Sequence, residues 1–183
     1  LLLVSIFSQI DRILPFILAE SIREELDLSD TELGLVTGLA FAVCYALMSL
    51  PLARAADRGS PKIVMIACIL VWSAMTALGG AATGFVMLAI TRFGVALGEA
   101  GATPSAPAII ARQVSAERRG RAIGLFSMGI PLGTMIGFAG GGALADTIGW
   151  RGALIGAGLT GGLIALLAMV TIQPTPVLAR SGE

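Results

Sequence analysis

Two adjacent charged residues, Asp11 and Arg12, lie inside an otherwise uncharged apolar stretch at the start of the chain. This stretch, residues 1–19, reads LLLVSIFSQIDRILPFILA. A helix of about 20 apolar residues is long enough to cross a bilayer. A charge near the bilayer centre costs at least about 2.5–3.5 kcal/mol, so such residues face a protein interior or a water-filled cavity. The pair therefore predicts a polar pathway through a membrane.

A second pair of charges, Arg92 and Glu99, lies in another apolar segment. The two residues are seven positions apart, which puts them on nearly the same helix face and about 10.5 Å apart along the axis. They are too distant to pair within their own helix. Each must find partners on neighbouring helices or in water. The simplest arrangements pair Glu99 with Arg12, or Asp11 with Arg92, and the four charges together are neutral.

These four residues can work as a proton switch. A carboxylate in a partly dehydrated cavity gains or loses a proton as water access or a neighbouring cation changes, which makes Asp11 and Glu99 candidate proton-coupling residues. Arginine does not release its proton, so Arg12 and Arg92 are candidate charge partners or substrate clamps. The alternative is a static set of ion pairs that only holds helices together, and Arg92 has the further alternative of snorkelling to the interface.

The composition indicates a membrane protein and excludes several other classes. The chain is 56% hydrophobic and 13% charged, whereas soluble domains are about 25% charged. Its 24 glycines fit closely packed transmembrane helices. The sequence has no histidine and shows no paired-Asp motif and no nucleophile with a visible base, so we expect no metal site, no cofactor and no enzyme. Cys44 and Cys68 are expected to be inert packing residues, and the zero net charge gives no indication of nucleic-acid binding.

Six apolar segments predict an all-α membrane protein with six transmembrane helices. Their approximate ranges are 1–20, 33–54, 62–82, 85–111, 121–145 and 151–173. Ser29 or Asp30 is expected to cap the second helix. Residues 174–183 are expected to begin a cytoplasmic linker, and the absence of an initial Met indicates a fragment of a longer protein.

The distribution of Lys and Arg predicts the orientation. Short cytoplasmic loops carry an excess of these residues. The opposite loops hold only Arg23 and Arg151, whereas eight basic residues lie in the loops after the second and fourth segments and in the tail: Arg54, Arg58, Lys62, Arg112, Arg118, Arg119, Arg121 and Arg180. We therefore expect both ends of the chain to be cytoplasmic.

Several motifs resemble the major facilitator superfamily. The loop LARAADRGSPK, residues 52–62, is similar to the signature loop between its second and third helices, with Asp57, Arg58 and Lys62 at matching positions. The helix 1 Asp-Arg, together with RFGVALGEAGATPSAP at residues 92–107, resembles the spinster-like branch. The resemblance implies that the loop latches the cytoplasmic side. Arg112 stands where relatives often carry an acid, and an Asp57–Arg112 contact is the expected replacement.

This resemblance implies the N-terminal six-helix half of a twelve-helix transporter, with the bilayer and a C-terminal half as partners. Residues 1–173 would form the bundle from two three-helix inverted repeats, about 1–82 and 85–173. The implied activity is proton-coupled transport of a lysolipid-like or sphingolipid-like amphiphile by alternating access in a bacterial inner membrane. The expected lining of the substrate cavity is Gln9, Phe41, Tyr45, Ser105, Met128 and Pro131.

Two alternatives remain open at this stage. The Gly-Glu-Ala of the fourth segment also occurs in sialin-like organic-anion carriers, in which Arg12 and Arg92 would hold a carboxylate. A non-transporting membrane scaffold, whose charges only specify helix pairing, is the second alternative.

Overall fold

A computed structural model describes residues 1–174 as helices joined by short turns, without a strand in that range. The predicted all-α class is confirmed. The predicted linker lies, apart from Pro174, outside the described residues, as does Arg180. The helices are α1 (Leu2–Ile17), α2 (Ala19–Leu26), α3 (Asp30–Gly34), α4 (Ala40–Arg58), α5 (Pro61–Gly79), α6 (Phe85–Gln113), α7 (Ala116–Ser127) and α8 (Gly129–Thr171), with a π-helical turn at Leu35–Leu39 between α3 and α4.

The first two crossings are each built from more than one helix. The axes of α1 and α2 differ by 50°, and the bend follows Pro15, whose ring leaves a carbonyl of the preceding turn without its usual donor. The second crossing begins with a capping box, since Ser29 Oγ accepts from the Glu32 backbone N–H and Glu32 accepts from the Ser29 backbone N–H. The expectation that Ser29 or Asp30 caps this helix is confirmed at Ser29.

A break at Gly149 separates the last two crossings. By length and composition, four helical stretches can span a membrane, and the bent α1–α2 pair is a fifth. The longest, Ala116–Thr171, has 56 residues, about 84 Å of helix against a hydrocarbon core of about 30 Å. Gly149 interrupts it with φ of 70°, a conformation that glycine adopts without steric cost. When this stretch is divided at Gly149, the described residues hold six segments that are long enough to cross a membrane.

The helices pack in pairs that bring the charged segments together. In the described residues, α1 packs against α8, α4 against α6, and α5 against both α6 and α8. Glycines allow these contacts, because a Cβ at Gly133 would lie 2.5 Å from the Ile6 carbonyl oxygen of α1, and one at Gly158 would lie 2.5 Å from the Ser73 carbonyl oxygen of α5. The division into two inverted repeats stays a prediction.

Polar contacts close the end of the bundle that carries the α2–α3 turn. Glu25 of α2 accepts from Trp150 Nε1 at 2.6 Å and from Arg151 Nε at 2.8 Å. Arg151 also donates to the carbonyls of Gly80 and Ala82 in the α5–α6 turn, at 3.0 and 2.7 Å. One arginine thus links α2, the α5–α6 turn and α8.

Candidate functional site

The centre of the site is an ion pair between α1 and α6. Glu99 is completely buried, and its Oε2 accepts from Arg12 Nη2 at 2.6 Å and from Arg12 Nε at 3.0 Å. The side chain of Arg12 keeps 36% of its surface exposed. Of the two pairings that the sequence allows for the membrane charges, the structure therefore forms the one between Arg12 and Glu99.

Aromatic rings surround the two arginines. The Arg12 guanidinium lies 5.3 Å from the ring centroid of Phe41 and 4.9 Å from that of Tyr45. Phe41 also lies 5.4 Å from the guanidinium of Arg92, and the two rings stack at 6.0 Å. Such cation–π contacts contribute about 0.5–2 kcal/mol, most where water is excluded. Phe41 therefore contacts both guanidinium groups, at 5.3 Å from Arg12 and 5.4 Å from Arg92.

Two polar atoms near this centre lack a hydrogen-bond partner in the described part of the chain. They are Glu99 Oε1 and Arg92 Nε, both buried. Buried polar groups are normally paired, and those that are not often mark functional positions. Arg92 is only 5% exposed, so this arginine is inside the bundle rather than snorkelling to the interface.

Asp11 occupies a separate position from the Arg12–Glu99 pair. Its carboxylate is 4% exposed and accepts from Thr76 Oγ1 of α5 at 2.9 Å. The structure shows a hydroxyl, and not Arg92, hydrogen-bonded to Asp11. Arg92 and Glu99 nevertheless lie close enough to act on Asp11 electrostatically. The two acids therefore have different partners on different helices.

Two cavities meet at Arg12. The larger, of about 360 Å³, lies between α1, α4 and α6 and is lined by Arg12, Phe16, Thr37, Gly38, Phe41, Ala42, Tyr45 and Arg92. The smaller, of about 90 Å³, has both polar and apolar lining: Val4, Ser5, Ser8, Gln9, Arg12, Tyr45, Ala102, Thr103, Phe126 and Ile130. Arg12 and Tyr45 line both cavities, so these two side chains lie where the cavities adjoin.

The predicted lining residues divide into two groups. Gln9, Phe41 and Tyr45 lie at the cavity walls. Ser105 does not, since it is fully buried and its hydroxyl donates to the Gly101 carbonyl at 2.7 Å. Met128 and Pro131 are exposed on the surface next to the smaller cavity, which Ile130 lines instead.

Basic residues of the expected latch bind helix ends. Arg112 donates to the backbone carbonyls of Asp57 at 2.7 Å and Gly59 at 3.1 Å. Lys62 donates to the carbonyls of Met169, at 2.7 Å, and of Ile172. Cations at helix C-termini pair with otherwise unsatisfied carbonyl groups. The expected Asp57–Arg112 contact thus exists through the Asp57 backbone, and Arg58 is exposed beside it.

Sequence reasoning did not single out Thr76, although it contacts Asp11. A threonine in an apolar helix usually donates to its own backbone, as Thr103 and Thr134 do here. The residue type of Thr76 therefore does not indicate a contact with Asp11. Only the position of α5 beside α1 in the structure reveals this contact. Across residues 1–174, no group of His, Cys, Asp and Glu side chains could hold a metal ion.

Comparisons with known proteins agree on one family. The family model of the Major Facilitator Superfamily matches residues 1–182. An MFS-type efflux pump of Mycolicibacterium smegmatis is 41% identical over 94% of this chain and 40% of its own length. A probable L-galactonate transporter of Escherichia coli is 30% identical over 80% of this chain and 32% of its own length.

A solved structure has the same fold. It is a bacterial homolog of the human lysosomal transporter Spinster in an inward-facing and unoccupied conformation, with a TM-score of 0.84 and 33% sequence identity. The match covers 100% of this chain and 43% of that one. The present chain thus spans less than half the length of the relatives that it matches.

Proposed function

The chain belongs to the major facilitator superfamily, in its spinster-like branch, and from this premise we propose that it is the N-terminal half of a proton-coupled secondary active transporter. The relatives of this chain named above are transporters and not enzymes. The observation that carries the proposal is the buried Arg12–Glu99 pair beside two cavities. A proton is the coupling ion, and no further cofactor is invoked.

Protonation of Glu99 changes what Arg12 binds. The ionised carboxylate accepts two hydrogen bonds from one guanidinium, an arrangement that charge makes strong. A neutral carboxylic acid loses most of that attraction, so Arg12 becomes free to move along the cavity wall. Arg12 can then bind an anionic group of the substrate. Proton binding at Glu99 and substrate binding at Arg12 are therefore linked.

The lining of the larger cavity favours an amphiphilic substrate. Phe16, Phe41 and Ala42 supply apolar surface, while Arg12 and Arg92 supply positive charge beside it. A lysolipid-like or sphingolipid-like molecule has the matching parts, an acyl chain and a charged headgroup. The similarity to a bacterial homolog of Spinster supports this class, since the resemblance of the sequence implies such substrates.

An organic anion is the second candidate substrate. Two arginines line one cavity, and a relative with 30% identity is named as a probable L-galactonate transporter. A sugar acid needs a carboxylate clamp and hydroxyl partners but little apolar surface. A competition panel of sugar acids against lysophospholipids, with uptake of each labelled compound as the readout, separates the two candidates.

The rest of the proposal concerns the complete protein. A second six-helix bundle completes the substrate cavity and allows alternating access. The protein lies in a bacterial inner membrane with both ends of this chain in the cytoplasm. The two inverted repeats of residues 1–82 and 85–173 are supported by matching contacts, since α1 packs on α8 as α4 packs on α6.

The test is pH-driven transport by the complete protein in proteoliposomes. With a labelled lysophospholipid, we expect Glu99→Gln and Asp11→Asn each to lower driven uptake at least tenfold, because neither amide can exchange a proton. The matched control is Glu24→Gln, the same chemical change at an exposed position of α2. Unchanged driven uptake in both Glu99→Gln and Asp11→Asn would contradict proton coupling at this site.

A further inference from the structure

Thr76 is an exception among the hydroxyl residues of the described helices. Seven other threonine and serine hydroxyls donate to the backbone carbonyl four residues earlier in the chain: Thr37, Thr103, Ser105, Thr134, Thr147, Thr160 and Thr171. This is the usual partner of such a hydroxyl in an apolar helix. Thr76 instead donates to Asp11 of a different helix at 2.9 Å. Its side chain therefore serves Asp11 rather than its own backbone.

The contact is closed on all sides. Thr76 is 2% exposed and Asp11 is 4% exposed. Neither Asp11 nor Thr76 lines the 360 Å³ cavity that Arg12 and Arg92 share. Thr76 borders a space of about 10 Å³ beside Arg92, which is about the size of one water molecule. Asp11 is consequently shielded from the wider cavities, and Thr76 is the side chain that hydrogen-bonds it.

A hydroxyl can satisfy a carboxyl group in both of its charge states. It donates to an ionised carboxylate, and it accepts from a protonated one because it also carries two lone pairs. In the second state the Thr76 proton can turn to the carbonyl of Trp72, four residues earlier in α5, as the seven other hydroxyls do. An arginine cannot do this, since it donates only.

We propose that Thr76 is a positioning residue for proton exchange at Asp11, holding the carboxyl group of α1 against α5 in both its ionised and its protonated form. The inference rests on the proposed role of Asp11 in proton coupling. It assigns different behaviour to the two acids. The α1–α6 contact through Glu99 weakens on protonation, whereas the α1–α5 contact through Asp11 persists, so α1 stays attached to α5 while Arg12 is released.

Few charged residues lie near Asp11 in the described part of the chain. Arg92 and Glu99 face it from α6, and Arg12 is its neighbour in α1. The charged residues of α5 and α8 lie near helix ends or at the Gly149 break: Lys62, Asp146 and Arg151. Changing Thr76 to an uncharged residue therefore alters one hydrogen bond and leaves the set of charges intact.

The experiment uses Thr76→Val, which keeps the shape and removes the hydroxyl, in the complete protein. A hydrogen bond to an ionised carboxylate is stronger than one to the neutral acid, and the change removes both, so we expect the midpoint of Asp11 titration to move upward by the difference, about one pH unit at most. The readout is the infrared carbonyl band of the protonated acid, assigned by its loss in Asp11→Asn. The pH profile of driven lysophospholipid uptake should move in the same direction.

Two further variants separate positioning from packing. Thr76→Ser keeps the hydroxyl and should restore the wild-type midpoint. Ser73→Ala removes a buried hydroxyl without a partner one turn away and should leave the midpoint unchanged. An Asp11 band whose midpoint is equal in Thr76→Val and wild type, or that does not titrate at all, would overturn the inference. Absence of pH-driven uptake in the wild type, with the band shift present, would instead count against the proposed function alone.

Discussion

Arg12 determines what the site can do at the scale of single residues. It pairs with a fully buried carboxylate, contacts two aromatic rings and lines both cavities. Buried ion pairs contribute little net stability because desolvation opposes the attraction, but loss of one partner costs about 3–5 kcal/mol. The pair is therefore better suited to be opened and closed than to stabilise the bundle.

A double-mutant cycle tests this pairing. We expect Arg12→Met to lower the free energy of unfolding by about 3–5 kcal/mol, because Glu99 is left as an unpaired buried charge. Adding Glu99→Gln should recover most of the loss. The measurement is equilibrium unfolding of the complete protein in detergent micelles. Additive effects of the two changes would show that the contact has no energetic coupling.

The sequence predicts the charged residues of the site better than their pairing. Charges in apolar segments are visible without a structure, and all four are found buried or half-buried in the bundle. Which acid meets which base depends on helix rotation, which the sequence does not determine. For the same reason the sequence did not indicate the contact between Thr76 and Asp11. Ser105 was expected to line the cavity but is buried, because the rotation of α6 determines which of its residues face the cavity.

At the scale of helices, glycines determine how closely the crossings approach. A Cβ at Gly158 would lie 2.5 Å from the Ser73 carbonyl oxygen and 2.6 Å from the Ala77 nitrogen, whereas one at Gly156 would meet no atom within 4 Å. Both residues lie in α8, two positions apart. The abundance of glycine predicts close packing in general, but only the structure distinguishes the glycines that contact a neighbour from those that face outward.

These two glycines give a matched pair of variants. Gly158→Ala should destabilise the bundle by about 1–3 kcal/mol, because the added methyl group overpacks the α5–α8 contact. Gly156→Ala should be neutral or stabilising, since alanine favours helix by up to about 1 kcal/mol over glycine. Thermal unfolding in micelles measures both. Equal effects of the two changes would contradict the packing described for α8.

Irregular helix geometry was harder to foresee. The six apolar segments place the crossings, but they do not show where a helix is irregular: at the bend between α1 and α2, at the π-helical turn of Leu35–Leu39 and at the break at Gly149. The predicted segment ends also differ from the structure, because apolar composition ends before the helix does. The second crossing continues to Arg58, and the fifth begins at Ala116.

At the scale of the whole molecule, the basic residues predict the orientation in the membrane. Glu117 lies at the end of the bundle that carries the basic α6–α7 turn, and Thr31 lies at the opposite, acidic end. With Cys44 and Cys68 replaced by alanine, a membrane-impermeant maleimide should label Thr31→Cys in intact cells and Glu117→Cys only after the cells are opened. The reverse pattern would contradict cytoplasmic ends.

The chain covers 43% of the solved relative's length, and we propose that the cavity beside Arg12 and Arg92 is one wall of a substrate cavity that a second bundle completes. Alternating access needs the second wall, so coupling must be measured on the complete protein. In the mechanism that we propose, proton binding at Glu99 and release of Arg12 are two parts of one step. In that mechanism, accumulation driven by a pH gradient requires Glu99 to bind and release a proton in each cycle. Exchange of internal for external substrate requires no net proton movement, so it can proceed with Glu99 permanently neutral.

The most direct test compares these two activities in Glu99→Gln. Proteoliposomes containing the complete protein are loaded with unlabelled lysophospholipid, and labelled uptake is measured once with an imposed pH gradient and once as exchange without one. We expect the variant to lose gradient-driven accumulation at least tenfold and to retain exchange within about twofold of wild type, because only the proton step is removed. Gradient-driven accumulation that survives undiminished in Glu99→Gln would contradict the central claim that this buried carboxylate couples proton movement to transport.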